Sequence, residues 1–310
     1  MNLFKKFNSG VGNGVVSAIA WGGDTVMMGI VLSMVPFIET EQAILLAPIV
    51  SAFLHDSFSA IWVFIYLGTK KKLGTLFKSI RTKSAFYVAM GALLGGPVGM
   101  TGYLLSIKYL GPSYTAAISS FYPAVGAILA TIVLKEKVKK RAWAGLAISI
   151  SGIVALGYSK GSNMESLLGF LFIAMCVIGW GTEAVVCAYG MKDDEIDSEC
   201  SLQVRQFTSA VVYGFLIIPI FKAVPLVLEG IKSPVIGVLA ITAAIGTISY
   251  LCYYGAIYKI GATKAMGINI TYFVWAIILD TLFLGTSLSL KTIVFGTIVM
   301  IGSYLVAKED

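Results

Sequence analysis

Trp180 and Glu183 stand three residues apart, a spacing that puts an indole and a carboxylate on one face of a helix. Tyr250, Tyr253 and Tyr254 cluster in the same way, as do Asn269, Tyr272 and Phe273, with Trp275 nearby but rotated off that face. Tyr122 supplies another phenol and Trp21 another indole. Together these side chains offer π faces, one carboxylate and one amide. A ring of aromatic faces attracts an organic cation through its quadrupole, by about 2 kcal/mol per contact once desolvated. A quaternary ammonium has no N–H to donate, so such a cage suits it better than a carboxylate alone. A hydroxyl on that cation finds partners in Asn269, Gln206 or a tyrosine. Any one aromatic stripe also serves plain helix packing.

Six ionisable residues interrupt apolar sequence: Asp24, His55, Asp56, Glu183, Arg205 and Asp280. Each costs about 2.5–3.5 kcal/mol at the centre of a bilayer, so each calls for a cavity or a partner. Arg205 can pair with one acid as a purely structural bridge, and residues near a boundary can snorkel. His55 is the only histidine; beside Asp56 it is either hydrogen-bonded structure or a proton acceptor during transport. Asp24, His55, Asp56, Arg205 and Gln206 are therefore the coupling or gating candidates. Arg205 also discriminates between substrates, because a substrate carboxylate needs it at the site whereas a caged cation needs it held away. No His/Cys cluster, His-Glu-x-x-His or Gly-x-Ser-x-Gly occurs, which leaves a membrane-embedded enzyme without a catalytic set, and nothing asks for a metal or cofactor.

The elements that must position these residues are membrane helices. Of 310 residues 57% are hydrophobic and 13% charged, at a mean hydropathy of +0.87, where a soluble domain carries about 25% charged residues. The four cysteines lie mostly in apolar runs without framework spacing and read as packing residues. Apolar stretches of the length that crosses the hydrocarbon core predict ten helices near 10–33, 42–67, 84–107, 113–134, 142–158, 166–190, 201–221, 234–258, 264–284 and 290–307. The first run follows Lys5 and Lys6 but shows no cleavage site, so it is expected to be retained. The net charge of +7 does not point to nucleic acid, because the basic residues sit in short loops beside apolar runs. Loops on the side of the N-terminus hold 17 Lys and Arg and the opposite loops five, which predicts cytoplasmic termini. Gly95-Gly96-Pro97 and Tyr122-Pro123 are expected to interrupt their helices, and Pro48 to kink its own.

The chain also repeats. Trp21-Gly22-Gly23-Asp24 returns as Trp180-Gly181-Thr182-Glu183. Gly111, Ser119 and Tyr122 return as Gly261, Asn269 and Tyr272, shifted by 150, and the same shift sets His55-Asp56 opposite Arg205-Gln206. Halves 1–160 and 161–310, of five spans each, must then insert with opposite topology. Many secondary carriers build alternating access in this way, with the substrate site where the repeats meet. The expected fold is an all-α membrane protein of ten transmembrane helices in two inverted-topology five-helix repeats.

This pattern resembles the drug/metabolite transporter superfamily over essentially the whole chain. Gly91-Ala-Leu-Leu-Gly-Gly-Pro-Val-Gly-Met100, Lys108-Tyr-Leu-Gly111 and Ser120-Phe-Tyr-Pro123 resemble the choline permeases of bacterial lic operons. So do His55-Asp56, Trp180-Gly181-Thr182-Glu183, Arg205-Gln206, the Tyr250 to Tyr254 run and Asn269-Ile-Thr-Tyr-Phe-Val-Trp275. The resemblance implies a ten-helix bundle in a bacterial cell membrane that imports choline for decorating surface polymers. It implies a pocket role for Trp21, Tyr122, Trp180, Glu183, Tyr250, Tyr253, Tyr254, Asn269, Tyr272 and Trp275. Asp24 departs from the pattern, since a less acidic residue is expected after Trp21-Gly22, and a second anion there alters coupling or substrate charge. Other members of the superfamily export amino acids, nucleobases or lipophilic drugs, which is the alternative the resemblance leaves open.

Overall fold

Long apolar runs bounded by Ser, Thr and Asp caps become long helices. In the structure, a computed structural model that describes residues 10–110, 115, 118–157, 167–285 and 290–308, no strand occurs among the described residues. Helix α1 covers Gly10–Leu32 and α2 Glu41–Thr69. Thr40 caps α2, its Oγ1 accepting the Ala43 N–H at 3.0 Å. A short helix α3 (Leu73–Ser79) leads into α4, which runs over Lys83–Leu93, Leu94–Met100 and Thr101–Leu110. Helix α5 covers Tyr122–Leu129 with a last turn over Ala130–Leu134, and α6 covers Lys140–Gly157.

After the undescribed residues 158–166 come α7 (Leu167–Gly190) and α8, which runs over Ser198–Val212, Tyr213–Ile217 and Ile218–Ile220. The amphipathic α9 (Val224–Lys232) and α10 (Val235–Ile260) follow. The chain ends with α11 (Ala262–Asn269), α12 (Tyr272–Leu284) and α13 (Leu290–Ala307).

Six helical stretches are long and apolar enough to cross a membrane: α1, α2, Lys83–Ser106 within α4, α7, α10 and Ala262–Leu284. Shorter apolar helices join them, α5 and Ile293–Ala307 within α13. Burial is inside-out relative to a soluble protein. Phe215 is 84% exposed and Leu167 74%, whereas Arg205 is 3% exposed and Gln206 fully buried. Such an apolar surface needs lipid around it.

The expected interruptions take different forms. Gly95-Gly96-Pro97 does not break α4; Leu94–Met100 widens to i→i+5 hydrogen bonding, which absorbs the missing proline N–H without ending the helix. Tyr122-Pro123 does interrupt its span: residues 115, 118 and 119 are helical, Ser120-Phe121 form a turn, and a new helix opens at Tyr122 with Pro123 in the first turn where no N–H is needed; part of the expected 113–134 span, residues 113, 114, 116 and 117, lies outside the described residues. The expected 264–284 span is divided at Ile270-Thr271, where Thr271 Oγ1 donates to the Ile268 carbonyl at 2.8 Å. Pro48 lies inside α2, which continues through it.

Polar ties collect at one end of the bundle. Lys72 Nζ reaches Asp197 Oδ2 at 2.9 Å and Glu199 Oε2 at 2.6 Å, and Tyr66 donates to Glu199 Oε1 at 2.8 Å. Asp197 caps α8, its Oδ1 accepting the Cys200 N–H at 2.8 Å. Partial burial opposes both charges, but the hydrogen bonds and ion pairs prevail, so Lys72 is held above and Asp197 below its ordinary value. The Asp197 contribution is complete above the ordinary carboxylate value and lost as pH falls through the depressed one. The Lys72 contribution is complete below the ordinary lysine value and lost as pH rises through the raised one. The cluster should therefore stabilise evenly between about pH 4 and pH 10. These side chains are partly exposed, so the effect should stay below about 1 kcal/mol and shrink in salt. Melting curves of Lys72→Ala and the parent across that range and below it check this; a Lys72→Ala difference that did not begin to shrink as pH fell below the ordinary carboxylate value would contradict it.

Candidate functional site

Helices α1, α5, α7, α10, α11 and α12 converge on a central cavity. Its wall carries Trp21 from α1, Tyr122 from α5, Trp180 and Glu183 from α7, Tyr250 and Tyr253 from α10, Asn269 from α11 and Tyr272 from α12. Met100, Ala184, Arg205 and Ser249 complete it. The cavity offers about 80 Å³ to water-sized groups, where one water takes roughly 10–15 Å³, so it holds a compact solute.

The rings brace one another edge to face. Trp21 stands 5.0 Å from Tyr250 and 6.5 Å from Tyr272, and Tyr122 stands 5.9 Å from Trp180, all T-shaped. Trp180 stacks on Tyr103 at 5.3 Å, and its Nε1 donates to the Gly95 carbonyl at 3.1 Å. Tyr122 donates to Asn269 Oδ1 at 3.3 Å, and Asn269 Nδ2 donates to Ser17 Oγ at 2.9 Å. The amide orientation is thereby fixed, with an acceptor lone pair left on Oδ1.

Behind this wall runs a buried chain of charges. Arg205 Nε donates to Glu183 Oε1 at 2.7 Å, while its Nη1 donates to Gln206 Oε1 at 2.6 Å and to Asp56 Oδ2 at 3.3 Å. Ser209 Oγ donates to Asp56 Oδ2 at 2.6 Å, and Gln206 Nε2 donates to Ser59 Oγ at 2.6 Å. His55 bridges the remaining acids, with Nε2 2.8 Å from Asp24 Oδ1 and Nδ1 3.5 Å from Asp56 Oδ1. Three carboxylates against one guanidinium leave a formal charge of −2 with the imidazole neutral and −1 with it protonated. A second cavity of about 320 Å³ holds Asp24, His55 and Asp56. It shares Trp21, Met100, Trp180, Arg205, Tyr250 and Tyr272 with the first. The two cavities thus adjoin, and Asp24 and Asp56 stand beside the aromatic chamber.

A profile of the EamA-like transporter family matches residues 8–158 and again 167–308. The chain belongs to the EamA-like transporter family. This EamA-like chain is 33% identical to Protein LicB of Haemophilus influenzae over 270 residues, 85% of each chain. It is 23% identical to an uncharacterized transporter of Clostridium kluyveri over 269 residues, 81% of this chain and 83% of that one. A solved structure described only as a crystal structure of a protein shares the fold at a TM-score of 0.70, with 15% identity and coverage of 96% of this chain and 98% of the other. The protein is therefore a multi-pass membrane transporter of the drug/metabolite superfamily, and its family points away from an enzyme.

Within this EamA-like fold, eight of the ten residues expected to form the pocket line one cavity. Tyr254 and Trp275 do not. Tyr254 is buried one turn beyond Tyr250 on α10, where its hydroxyl meets Cys187 Sγ at 3.3 Å. Trp275 belongs to the contact of α12 with α1, where a side chain at Gly22 would come within 2.9 Å of its Cβ. Asp280 lines neither cavity. Arg205, whose place was to separate a carboxylate carrier from a cation carrier, is not held away from the aromatic wall; its guanidinium carbon sits 4.8 Å from the Tyr250 ring centroid. Met100 and Ser249 were not singled out from the sequence, and Gly95 was named only as part of a helix interruption. Met100 and Gly95 lie in the Gly91–Met100 string, and Ser249 adjoins Tyr250, so their motifs were visible where their roles were not.

Proposed function

We propose that this transporter carries choline or a closely related quaternary ammonium into the cell, by alternating access between two inverted five-helix repeats, 1–160 and 161–310. The carrying observation is a compact chamber walled by two indoles and four phenols, with a net negative charge cluster behind it. Each face is worth about 2 kcal/mol to a desolvated organic cation. Asn269 Oδ1 is placed to accept from the alcohol of such a substrate. The resemblance to the choline permeases of lic operons supports the same substrate class, and the 33% identity to Protein LicB is in keeping with that resemblance.

Helix limits support the repeat. Tyr122–Leu134 and Tyr272–Leu284 are 150 residues apart at both ends. The family profile also matches each half separately. The Lys and Arg bias supports cytoplasmic termini in a bacterial plasma membrane, which puts the Lys72 cluster at the inner face.

Arg205 at the wall favours a second reading, a carrier of amino acids or other carboxylates. Its Nε and Nη1 already serve Glu183, Gln206 and Asp56, and the cluster around it remains negative. A free carboxylate would face that repulsion, so the cation reading prevails. An inside-negative potential favours cation entry by about 2.3 kcal/mol per 100 mV, which suffices for uniport. The Asp24–His55–Asp56 chain offers a proton path in addition. Proteoliposomes test the function: radiolabelled choline should accumulate under a potassium-diffusion potential. Accumulation under a pH gradient at zero potential would add proton coupling. Absence of uptake under both, with an amino acid accumulating instead, would reject the cation reading.

A further inference from the structure

Helices α5 and α11 meet beneath the central cavity and are tied at both ends. At the cavity, the Tyr122 hydroxyl donates to Asn269 Oδ1 at 3.3 Å. At the other end α5 stops at Lys135, whose left-handed backbone (φ 56) turns the chain back. Glu136 then reaches the first turn of α11, Oε1 accepting the Ala262 N–H at 2.8 Å and Oε2 the Thr263 N–H at 3.3 Å. No side chain of the preceding Gly261 caps that turn, and a Cβ there would stand 2.6 Å from Glu136 Oε1. A carboxylate at a helix N-terminus satisfies orphan N–H groups and meets the positive end of the dipole. Between the ties the seam is dry and close. Ala130, Ala262, Ala265 and Met266 are fully buried, and a Cβ at Gly126 would fall 2.4 Å from Met266 Cε. Eight residues of helix, about 12 Å, separate the Glu136 cap from the Asn269 amide, so a shift at one end is passed to the other.

We propose that the α5–α11 seam is a gate of the central cavity on the Glu136 face, and that Glu136 is its latch. The proposal rests on the two-repeat carrier reading, since it assigns α5 and α11 to different halves. Release of substrate on that face requires the cap to open and α11 to part from α5. Ser84 Oγ, donating to Glu195 Oε2 at 2.9 Å, and the Lys72 pairs are further ties between the same two halves.

The test places a reporter thiol in the seam by Met266→Cys. A membrane-impermeant maleimide is supplied to the face that carries Glu136, and modification at position 266 is read by mass spectrometry. With Glu136 intact, labelling should be slow. Glu136→Ala should speed it about fivefold, the factor that one lost cap commonly costs. Glu136→Gln, which keeps an acceptor but no charge, should give a smaller rise and carries the test if the alanine variant does not fold. Unchanged labelling in folded Glu136→Ala, or in folded Glu136→Gln when alanine fails, would overturn the latch. Choline binding measured on the same proteins separates the two ideas. Faster labelling without choline binding leaves the gate standing and removes the substrate reading, whereas choline binding with labelling unchanged does the reverse.

Discussion

Arg205→Ala is expected to abolish transport and to destabilise the protein by about 3–5 kcal/mol, because it leaves Glu183 and Asp56 buried without their shared cation. All three side chains are at most 14% exposed, so water does not replace the lost partner. Arg205→Lys should recover only part of the loss. A single ammonium cannot reproduce the fork that serves Glu183 through Nε while Nη1 serves Asp56 and Gln206. The double variant Arg205→Ala with Glu183→Gln should be more stable than Arg205→Ala alone, since it removes one stranded charge. Thermal unfolding in detergent over this cycle measures the coupling. A stable Arg205→Ala that still transports would show that the guanidinium neither balances the acids nor shapes the site.

Gly95→Ala should be the most damaging small substitution near the cavity. A methyl at this position would sit 1.6 Å from Glu183 Oε2 and 2.2 Å from its Cδ, distances that no rotamer adjustment of the methyl can relieve. The Glu183 carboxylate must move, and with it the Arg205 pair. The Gly95 carbonyl also holds the Trp180 indole, so the added methyl disturbs an anion and an aromatic wall together. Overpacking of this kind costs typically about 1–3 kcal/mol of stability. Losing one cation–π face lowers affinity by roughly 30-fold. Gly237→Ala is the control, because nothing lies within 4 Å of a Cβ there, in the first turn of α10. It should bind and transport as the parent does, with a slight gain in stability. Equal behaviour of Gly95→Ala and Gly237→Ala would remove Glu183 and Trp180 from the site.

The contrast between these glycines marks what the sequence could and could not disclose. Helix positions were legible because membrane thickness demands long apolar runs; α10 begins and ends, and α1 and α7 end, within a few residues of the hydropathy limits. The division at Ile270-Thr271 was not, since neither residue is a helix breaker and the turn depends on tertiary packing. Trp180 and Glu183 were legible as a pair because a spacing of three fixes a shared face. Tyr254 was not separable from Tyr250 and Tyr253 by periodicity, because the arc of α10 that meets the cavity is set by its packing against α1. Arg205 was legible in part. The repeat shift set His55-Asp56 opposite it and a bridge to one acid was expected, but that Glu183, 22 residues away on another helix, shares the guanidinium with Asp56 left no mark in spacing. Gly95 needed the carboxylate beside it to be seen before its missing side chain acquired meaning.

The claim beneath all of this is that the chamber selects positive charge without an N–H donor. Choline and 3,3-dimethyl-1-butanol have nearly the same shape and the same hydroxyl, and differ in that carbon replaces the charged nitrogen. Calorimetric titration of purified protein with each compares them directly. Choline should bind, and the neutral alcohol should bind at least about 30-fold more weakly, the equivalent of one lost cation–π contact of about 2 kcal/mol. Equal affinities for the two, or binding of neither, would contradict the account.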